Sequence, residues 1–264
     1  MPQPSNDEDD LKHRLRDICI SNGGVSFGVA SAEDVEALPR VHVGWTIDTM
    51  SKKPSEVLPD VKSVVVFGVE STDDVHELEV HVDDETYEYP GYAPLARIRS
   101  RLTEFMKERD HRAVYPYEEG SFTSFKAIAR LAGIGAFGKN SLIISPRHGP
   151  WLRVGVVYTD AVIEPDGAFE EDLCGDCALC IEACPADALK PYVVDDKLCL
   201  VGLSPEERER NDLRPTLDVF EPQLTRRTHV MCTACQVVCP HTSDERRSKA
   251  VAMDACRKAG LIRE

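Results

Sequence analysis

Apolar residues recur at helical spacing in several stretches of the chain. Over residues 9–22, Leu11, Leu15, Ile18 and Cys19 fall on one face, and Gly23-Gly24 supplies a stop. Residues 93–109 carry the clearest pattern. Leu95, Ile98, Leu102, Phe105 and Met106 share a face, while Arg97, Arg101, Lys107 and Glu108 lie largely elsewhere. "TSFKAIARLAG" (123–133) reads as a further helix, and "SAEDVEAL" (31–38) opens another with Ser31 as its cap. Continuous apolar runs mark strands: "VSFGVA" (25–30), the buried "VKSVVVFGVE" (61–70) and "RAVYPY" (112–117). "SLIIS" (141–145) and "WLRVGVVYTD" (151–160) read as an antiparallel pair joined by "PRHGP". "TYEYPGY" (86–92) is a break. The mixture predicts an α+β fold.

From about residue 164 the character of the chain changes, because eight of its ten cysteines lie between Cys174 and Cys239. The expected division is therefore an N-terminal α/β domain, 1–165, and a cysteine-rich domain, 166–264. With 31 basic against 46 acidic side chains the formal net charge is −15. Such a surface repels phosphate backbones on average, which disfavours tRNA or DNA as a partner. Arg97, Arg99 and Arg101 are the one evident seed of a basic face. The N-terminus "MPQPSNDEDD" is acidic with no basic leader, and no apolar run approaches the ~20 residues of a membrane span. The expected location is cytoplasmic, with no membrane partner. In that compartment cysteines indicate metal or redox chemistry rather than disulfides.

The cysteine spacing is specific. Cys174-x2-Cys177-x2-Cys180-x3-Cys184-Pro185 is the bacterial ferredoxin run for a 4Fe–4S cluster, in which the proline-flanked fourth thiolate serves a second cluster. A second motif must then exist. Cys232-x2-Cys235-x3-Cys239-Pro240 repeats the ending, and Cys199 supplies the remaining thiolate. Crossing the ligands assigns Cys174, Cys177, Cys180 and Cys239 to one cluster, and Cys199, Cys232, Cys235 and Cys184 to the other. Structural zinc also favours C-x2-C pairs but requires no proline-terminated run of this kind. Cys19 and Cys256 read as core packing. The eight histidines form no close pair at ligand spacing and read mostly as surface residues. "SPEERERNDLR" (204–214) reads as a solvated insertion.

"GIGAFGKN" (133–140) nearly satisfies two nucleotide patterns, the dinucleotide fingerprint and the Walker A loop. Both need a strand before the glycines and a helix after them. Here a helix is expected before and a strand after, and Asn140 stands where Walker A requires Ser or Thr. Gly133 therefore reads as a helix stop, and Gly135 and Gly138 as positions of close backbone approach.

The stretch 126–160, the block "CGDCALCIEACPADAL" (174–189) and "MCTACQVVCP" (231–240) resemble the cobalamin-dependent epoxyqueuosine reductases and, more distantly, the reductive dehalogenases. The likeness extends to "VSFGVASAED" and "PSEVLPDVKSVVVFGV". It implies a nitroreductase-like α/β domain holding base-off cobalamin, followed by a two-cluster bacterial-ferredoxin-like domain that feeds electrons to cobalt. The donor would be a protein of ferredoxin or flavodoxin type, and the substrate small or nucleoside-like. By this likeness Gly135, Gly138, Lys139 and Asn140 are the candidate cofactor contacts. The family's catalytic aspartate has Glu119 as its nearest counterpart. Its Glu-Arg pair is Phe125-Lys126, and Tyr117 with Lys126 matches the tyrosine and basic residue of the dehalogenases. The family's Asp-Tyr-His is absent, with "GYAPLARIRS" in its place, and no sequence corresponding to its C-terminal helical repeats follows the cysteines. The alternative is a double-cluster ferredoxin-type electron carrier that docks a partner or reduces another protein's corrinoid.

Overall fold

The computed structural model describes residues 6–43, 49–71, 78–82, 87–117 and 123–242. In chain order its elements are α1 (Asn6–Ser21), β1 (Ser26–Ser31), α2 (Ala32–Ala37), β2 (His42–Val43), β3 (Thr49–Met50), α3 (Pro54–Val57), β4 (Ser63–Glu70), β5 (Leu78–His81), β6 (Tyr87–Glu88), α4 (Ala93–Lys107), β7 (Ala113–Val114) and α5 (Phe125–Leu131). They continue with β8 (Ala136–Phe137), β9 (Ile143–Ile144), β10 (Leu152–Thr159), α6 (Leu179–Glu182), β11 (Leu189–Lys190), β12 (Val193–Val194), α7 (Pro205–Arg208), α8 (Arg214–Phe220), β13 (Gln223–Thr225), β14 (Thr228–Val230) and α9 (Ala234–Val237). Helix and strand are mixed, as an α+β class requires.

The elements form two compact units, which are not the two consecutive stretches expected from composition. The first comprises residues 1–70, 92–137 and 152–172, and the second 71–91, 138–151 and 173–264. The rise in cysteine content near residue 165 lies close to the last of these crossings; the earlier ones carry no compositional mark.

The first unit is built on an antiparallel sheet of order β1-β4-β10-β7. Seven of the eight residues of β4 are buried, so the strand is covered on both faces, which explains its unbroken apolar run. On one face Leu15 and Cys19 of α1 and Leu95, Ile98, Leu102 and Met106 of α4 pack with Val29, Val65, Phe67 and Val157. The other face meets α5. Gly28 of β1 makes that approach possible, because a Cβ there would lie 2.1 Å from the Ala132 carbonyl oxygen. The helix ends obey local chemistry. The Ser31 hydroxyl accepts the Glu33 N–H at 3.1 Å. Gly23, at φ +92°, closes α1, and Gly133, at φ +73°, closes α5. Cys19 is fully buried, and burial pushes its thiol up to about 12, in keeping with a packing role.

One expected pairing is not formed. β10 has β4 on one side and β7 on the other, so 141–145 is not its hairpin partner. The turn "PRHGP" instead closes on itself, through reciprocal Ser145 and Gly149 backbone bonds of 2.9 and 2.8 Å. The expected strand 112–117 shortens to Ala113–Val114, since Pro116 has no N–H to offer a sheet. Cys256 lies outside the described residues.

In the second unit a sheet of order β13-β14-β5-β6 joins segments far apart in sequence, with His229 opposite Glu79. Leu200, Leu203 and Leu217 form its small core, against which Cys232 packs. Among the described residues no helix is long and apolar enough to cross a membrane.

Gly28→Ala is expected to lower the urea midpoint of the first unit, by about 1–3 kcal/mol of overpacking, with the slope unchanged. Far-UV circular dichroism during urea titration measures it, and a midpoint equal to wild type would refute the close-approach argument.

Candidate metal centres

Each cysteine motif contains a short helix. Cys180 lies in α6 and Cys235 in α9, each with a C-x2-C loop leading into it. The thiols of Cys174, Cys177, Cys180 and Cys239 line one cavity of about 70 Å³. Their mutual electrostatics show the same grouping. The Cys239 thiol is raised by burial and then by Cys174, Cys180 and Cys177. The Cys180 thiol is raised by burial and then by Cys174 and Cys177.

The remaining four thiols form a second set. Burial pushes Cys232 up to about 12, with Glu221, Cys199 and Cys184 adding to it. Cys235 is also pushed up to about 12 by burial, with Cys232, Cys199, Cys180 and Cys184 contributing. Cys199 is raised by burial, and Cys184 acts on it as well. Each set thus draws its outlying member, Cys239 or Cys184, from the other motif. Thiols held this closely resist ionising together unless a cation neutralises them. That donor chemistry fits an iron–sulfur cluster in each set.

The loop after β8 is built around these motifs. The Lys139 ammonium donates to the Gly175 and Cys177 carbonyls at 2.6 and 3.0 Å, and its backbone N–H points at the Cys174 Sγ at 3.5 Å. The Asn140 amide donates to the Cys235 carbonyl at 3.4 Å while its Oδ1 accepts the Leu142 N–H at 3.2 Å. A Cβ on Gly138 would come 2.7 Å from both Asn140 Oδ1 and Ile144 Cγ1. Of the residues expected to contact a corrinoid, Lys139 and Asn140 therefore direct their side chains at the cysteine loops, and Gly138 is needed by the turn itself. Gly135 is buried just before β8. No helix follows the glycines, which excludes both nucleotide patterns.

Two residues missed in the sequence stand behind the second set. Glu221 is 4% exposed, is paired with Arg208 and accepts the Cys232 N–H at 2.9 Å. Burial raises its carboxyl, while Arg208 and the Cys232 N–H pull it down. Arg208 also donates to the Leu200 carbonyl at 3.0 Å. The run 204–214 is thus not simply a solvated insertion, since one of its arginines turns inward. No spacing rule links Arg208, Glu221 and Cys232; only the fold does.

In the first unit, Tyr117 stacks on Tyr115 at 5.6 Å between centroids and meets the Phe125 edge at 4.9 Å. Tyr117 is 37% exposed as a residue, while partial burial of its phenol, with Tyr115, Tyr92 and Tyr158 adding to it, pushes the hydroxyl up to about 12. Lys126 is exposed in the first turn of α5. Glu119 lies outside the described residues. The three arginines of the basic seed have local partners: Arg97 the Asn22 carbonyl at 3.0 Å, Arg99 the Tyr115 ring at 4.3 Å and Arg101 the Glu104 carboxylate at 3.2 Å. A groove of about 450 Å³ lined by Ser31, Glu36 and Lys62 contains none of the expected site residues.

Residues 173–242 match the 4Fe-4S double cluster binding domain, which establishes two 4Fe–4S clusters as the cofactors of this region. The chain is 36% identical over 116 residues to the epoxyqueuosine reductase of Listeria monocytogenes, covering 44% of this chain and 28% of that one. To the epoxyqueuosine reductase of Gloeobacter violaceus it is 27% identical over 246 residues, 87% of this chain and 74% of that one. Among solved structures it shares its fold with an epoxyqueuosine reductase bound to a tRNA-Tyr stem loop, at TM-score 0.64 and 21% identity over 88% of this chain and 65% of that one. It also shares the fold of a reductive dehalogenase described as B12-dependent, at TM-score 0.58 and 15% identity over 98% of this chain and 36% of that one. The chain thus spans less than a third of the Listeria relative.

Lys139→Met removes the donor to two carbonyls of the first motif and is expected to speed iron loss to a chelator several-fold under anaerobic conditions, followed as visible bleaching. An unchanged rate would deny Lys139 this bracing role. Arg208→Met leaves Glu221 buried without its counter-charge and is expected to cost about 3–5 kcal/mol, read as a lower urea midpoint for cluster release.

Proposed function

We propose that this chain, which resembles the epoxyqueuosine reductases and carries a double 4Fe–4S cluster domain, is an iron–sulfur oxidoreductase that supplies single electrons to the corrinoid-dependent reduction of a small or nucleoside-like substrate. The observation that supports it is the cavity lined by Cys174, Cys177, Cys180 and Cys239, which brings a cysteine of the second motif among those of the first. When bound, the clusters supply one-electron transfer and the corrinoid supplies the reducing cobalt centre. The donor proposed is a small protein of ferredoxin or flavodoxin type.

The roles of the chain's own residues follow from their contacts. Cys174, Cys177, Cys180 and Cys239 hold one cluster, and Cys184, Cys199, Cys232 and Cys235 the other. Lys139 braces the first motif, placing a positive charge beside a cluster whose own charge is negative. The Cys232 N–H is donated to Glu221 at 2.9 Å. Glu119, Tyr117 and Lys126 are the proposed acid, phenol and cation at the substrate. The likeness to a B12-dependent dehalogenase supports the corrinoid. Lys139 and Asn140 do not fit as its contacts, because their side chains serve the cysteine loops. A tRNA stem loop is bound by one relative, and a nucleoside within RNA belongs to the proposed substrate class.

The same use of Lys139 and Asn140 favours a second reading, an electron carrier that reduces a corrinoid on another protein. Anaerobic reconstitution followed by cobalamin titration separates the two. Binding by this chain supports the enzyme, and about eight irons per chain without cobalamin binding supports the carrier. The crossed assignment has its own test. Cys184→Ser is expected to perturb the same electron paramagnetic resonance signal as Cys232→Ser, and Cys239→Ser the same signal as Cys174→Ser. If Cys184→Ser and Cys174→Ser alter one common signal, the crossing is wrong.

A further inference from the structure

Away from the thiol cavity, the second unit gathers three other metal-binding side chains. Glu79 and His81 are two apart on β5 and so lie on one face of the sheet. His229 on β14 is directly opposite Glu79. Their ligand atoms all lie within 4.8 Å of one another. Glu79 Oε1 is hydrogen-bonded to His81 Nε2 at 3.1 Å and lies 3.7 Å from His229 Nε2. A tetrahedral shell with bonds of about 2.1 Å has edges of about 3.4 Å, so an ion entering here would replace that hydrogen bond with little movement of the three side chains.

An independent observation points into the same space. His229 is 8% exposed, and among the described residues its buried Nε2 has no hydrogen-bond partner. A buried unsatisfied ring nitrogen is costly unless something occupies its lone pair or takes its proton. Burial depresses His229 to about 4, which keeps the imidazole neutral, the form that binds metals. The carboxylate is also oriented, because the Tyr89 hydroxyl donates to Glu79 Oε2 at 2.9 Å and leaves Oε1 facing the histidines. Glu221 Oε2 lies 4.0 Å from the same His229 Nε2.

We propose that Glu79, His81 and His229 form a binding site for a divalent transition-metal ion of the zinc class, separate from the cysteine clusters, that ties β5 to β14. Two imidazoles and one carboxylate suit zinc, with water as the remaining ligand. The site joins segments about 150 residues apart in the chain by a metal where a short sheet has few hydrogen bonds of its own.

The test uses the full-length, cluster-loaded protein, exposed anaerobically to zinc chloride and then freed of loose metal by gel filtration. Elemental analysis is expected to find about one zinc per chain in addition to the iron. Zinc X-ray absorption is expected to show only nitrogen and oxygen neighbours at about 2.0–2.2 Å, whereas zinc misplaced at the cysteines gives sulfur at about 2.3 Å. Glu79→Gln and His81→Gln are expected to abolish the zinc while keeping the cluster absorbance, His81 being the more exposed and the safer for folding. Tyr89→Phe is expected to weaken zinc binding by about 10–100-fold. No bound zinc, a sulfur shell, or zinc retained by both ligand variants would each overturn the site.

Discussion

Thiolates brought together in a small cavity repel one another, and burial raises the cost of ionising each of them. Two sets of four buried or half-buried thiols therefore constrain the whole second unit. The chain has to supply the turns that bring Cys174 to Cys239 and Cys184 to Cys199, and the cation that neutralises them has to come from the iron. Since ligand thiols must lose their protons to bind, raised thiol values at Cys232 and Cys235 mean that metal loading is coupled to proton release.

The polar groups around the thiols are placed with corresponding care. Lys139 satisfies two carbonyls of one motif, while Asn140 reaches a carbonyl of the other, so adjacent residues fasten both halves of the pseudo-repeat. Trp151 closes the far end of the same segment, its indole N–H donating to Thr242 at 3.0 Å, and Thr242 in turn donates to the Gln236 carbonyl. Behind the second set the buried Glu221 is tolerable because Arg208 is paired with it and the Cys232 N–H is donated to it.

What the sequence disclosed depended on the range of the interaction. Helices α1, α4 and α5, the Ser31 cap and the double-covered β4 follow from local periodicity and local chemistry, and they stand as expected. The double-cluster character of residues 173–242 was legible because the ferredoxin spacing is local; which thiolate crosses over stays a proposal. Pairings across long separations were not legible. The run 141–145 has the composition of a strand, but composition does not name its partner, and β10 was already flanked by β4 and β7. The glycine-rich loop was recognised as something other than a nucleotide cradle from its flanking elements, yet the destinations of Lys139 and Asn140 lay in the tertiary structure. His229 has no histidine near it in sequence, and it departs from the surface character expected of most histidines because β14 pairs with β5 across a long stretch of the chain.

The interleaving of the two units has a kinetic corollary. Residues 71–91 and 138–151 emerge early in synthesis but belong to a unit completed only when β14 and the last cysteines have been made. High contact order of this kind slows folding and leaves strand edges exposed in the interim. β5 in particular spends most of translation without the neighbour that later covers its edge. The cluster-bearing segment beginning at residue 173 is correspondingly not a detachable ferredoxin, because excision would strand β5, Lys139, Asn140 and Trp151 on the discarded piece. In this chain the segments of the cysteine-bearing unit alternate with those of the first unit along the sequence rather than following them.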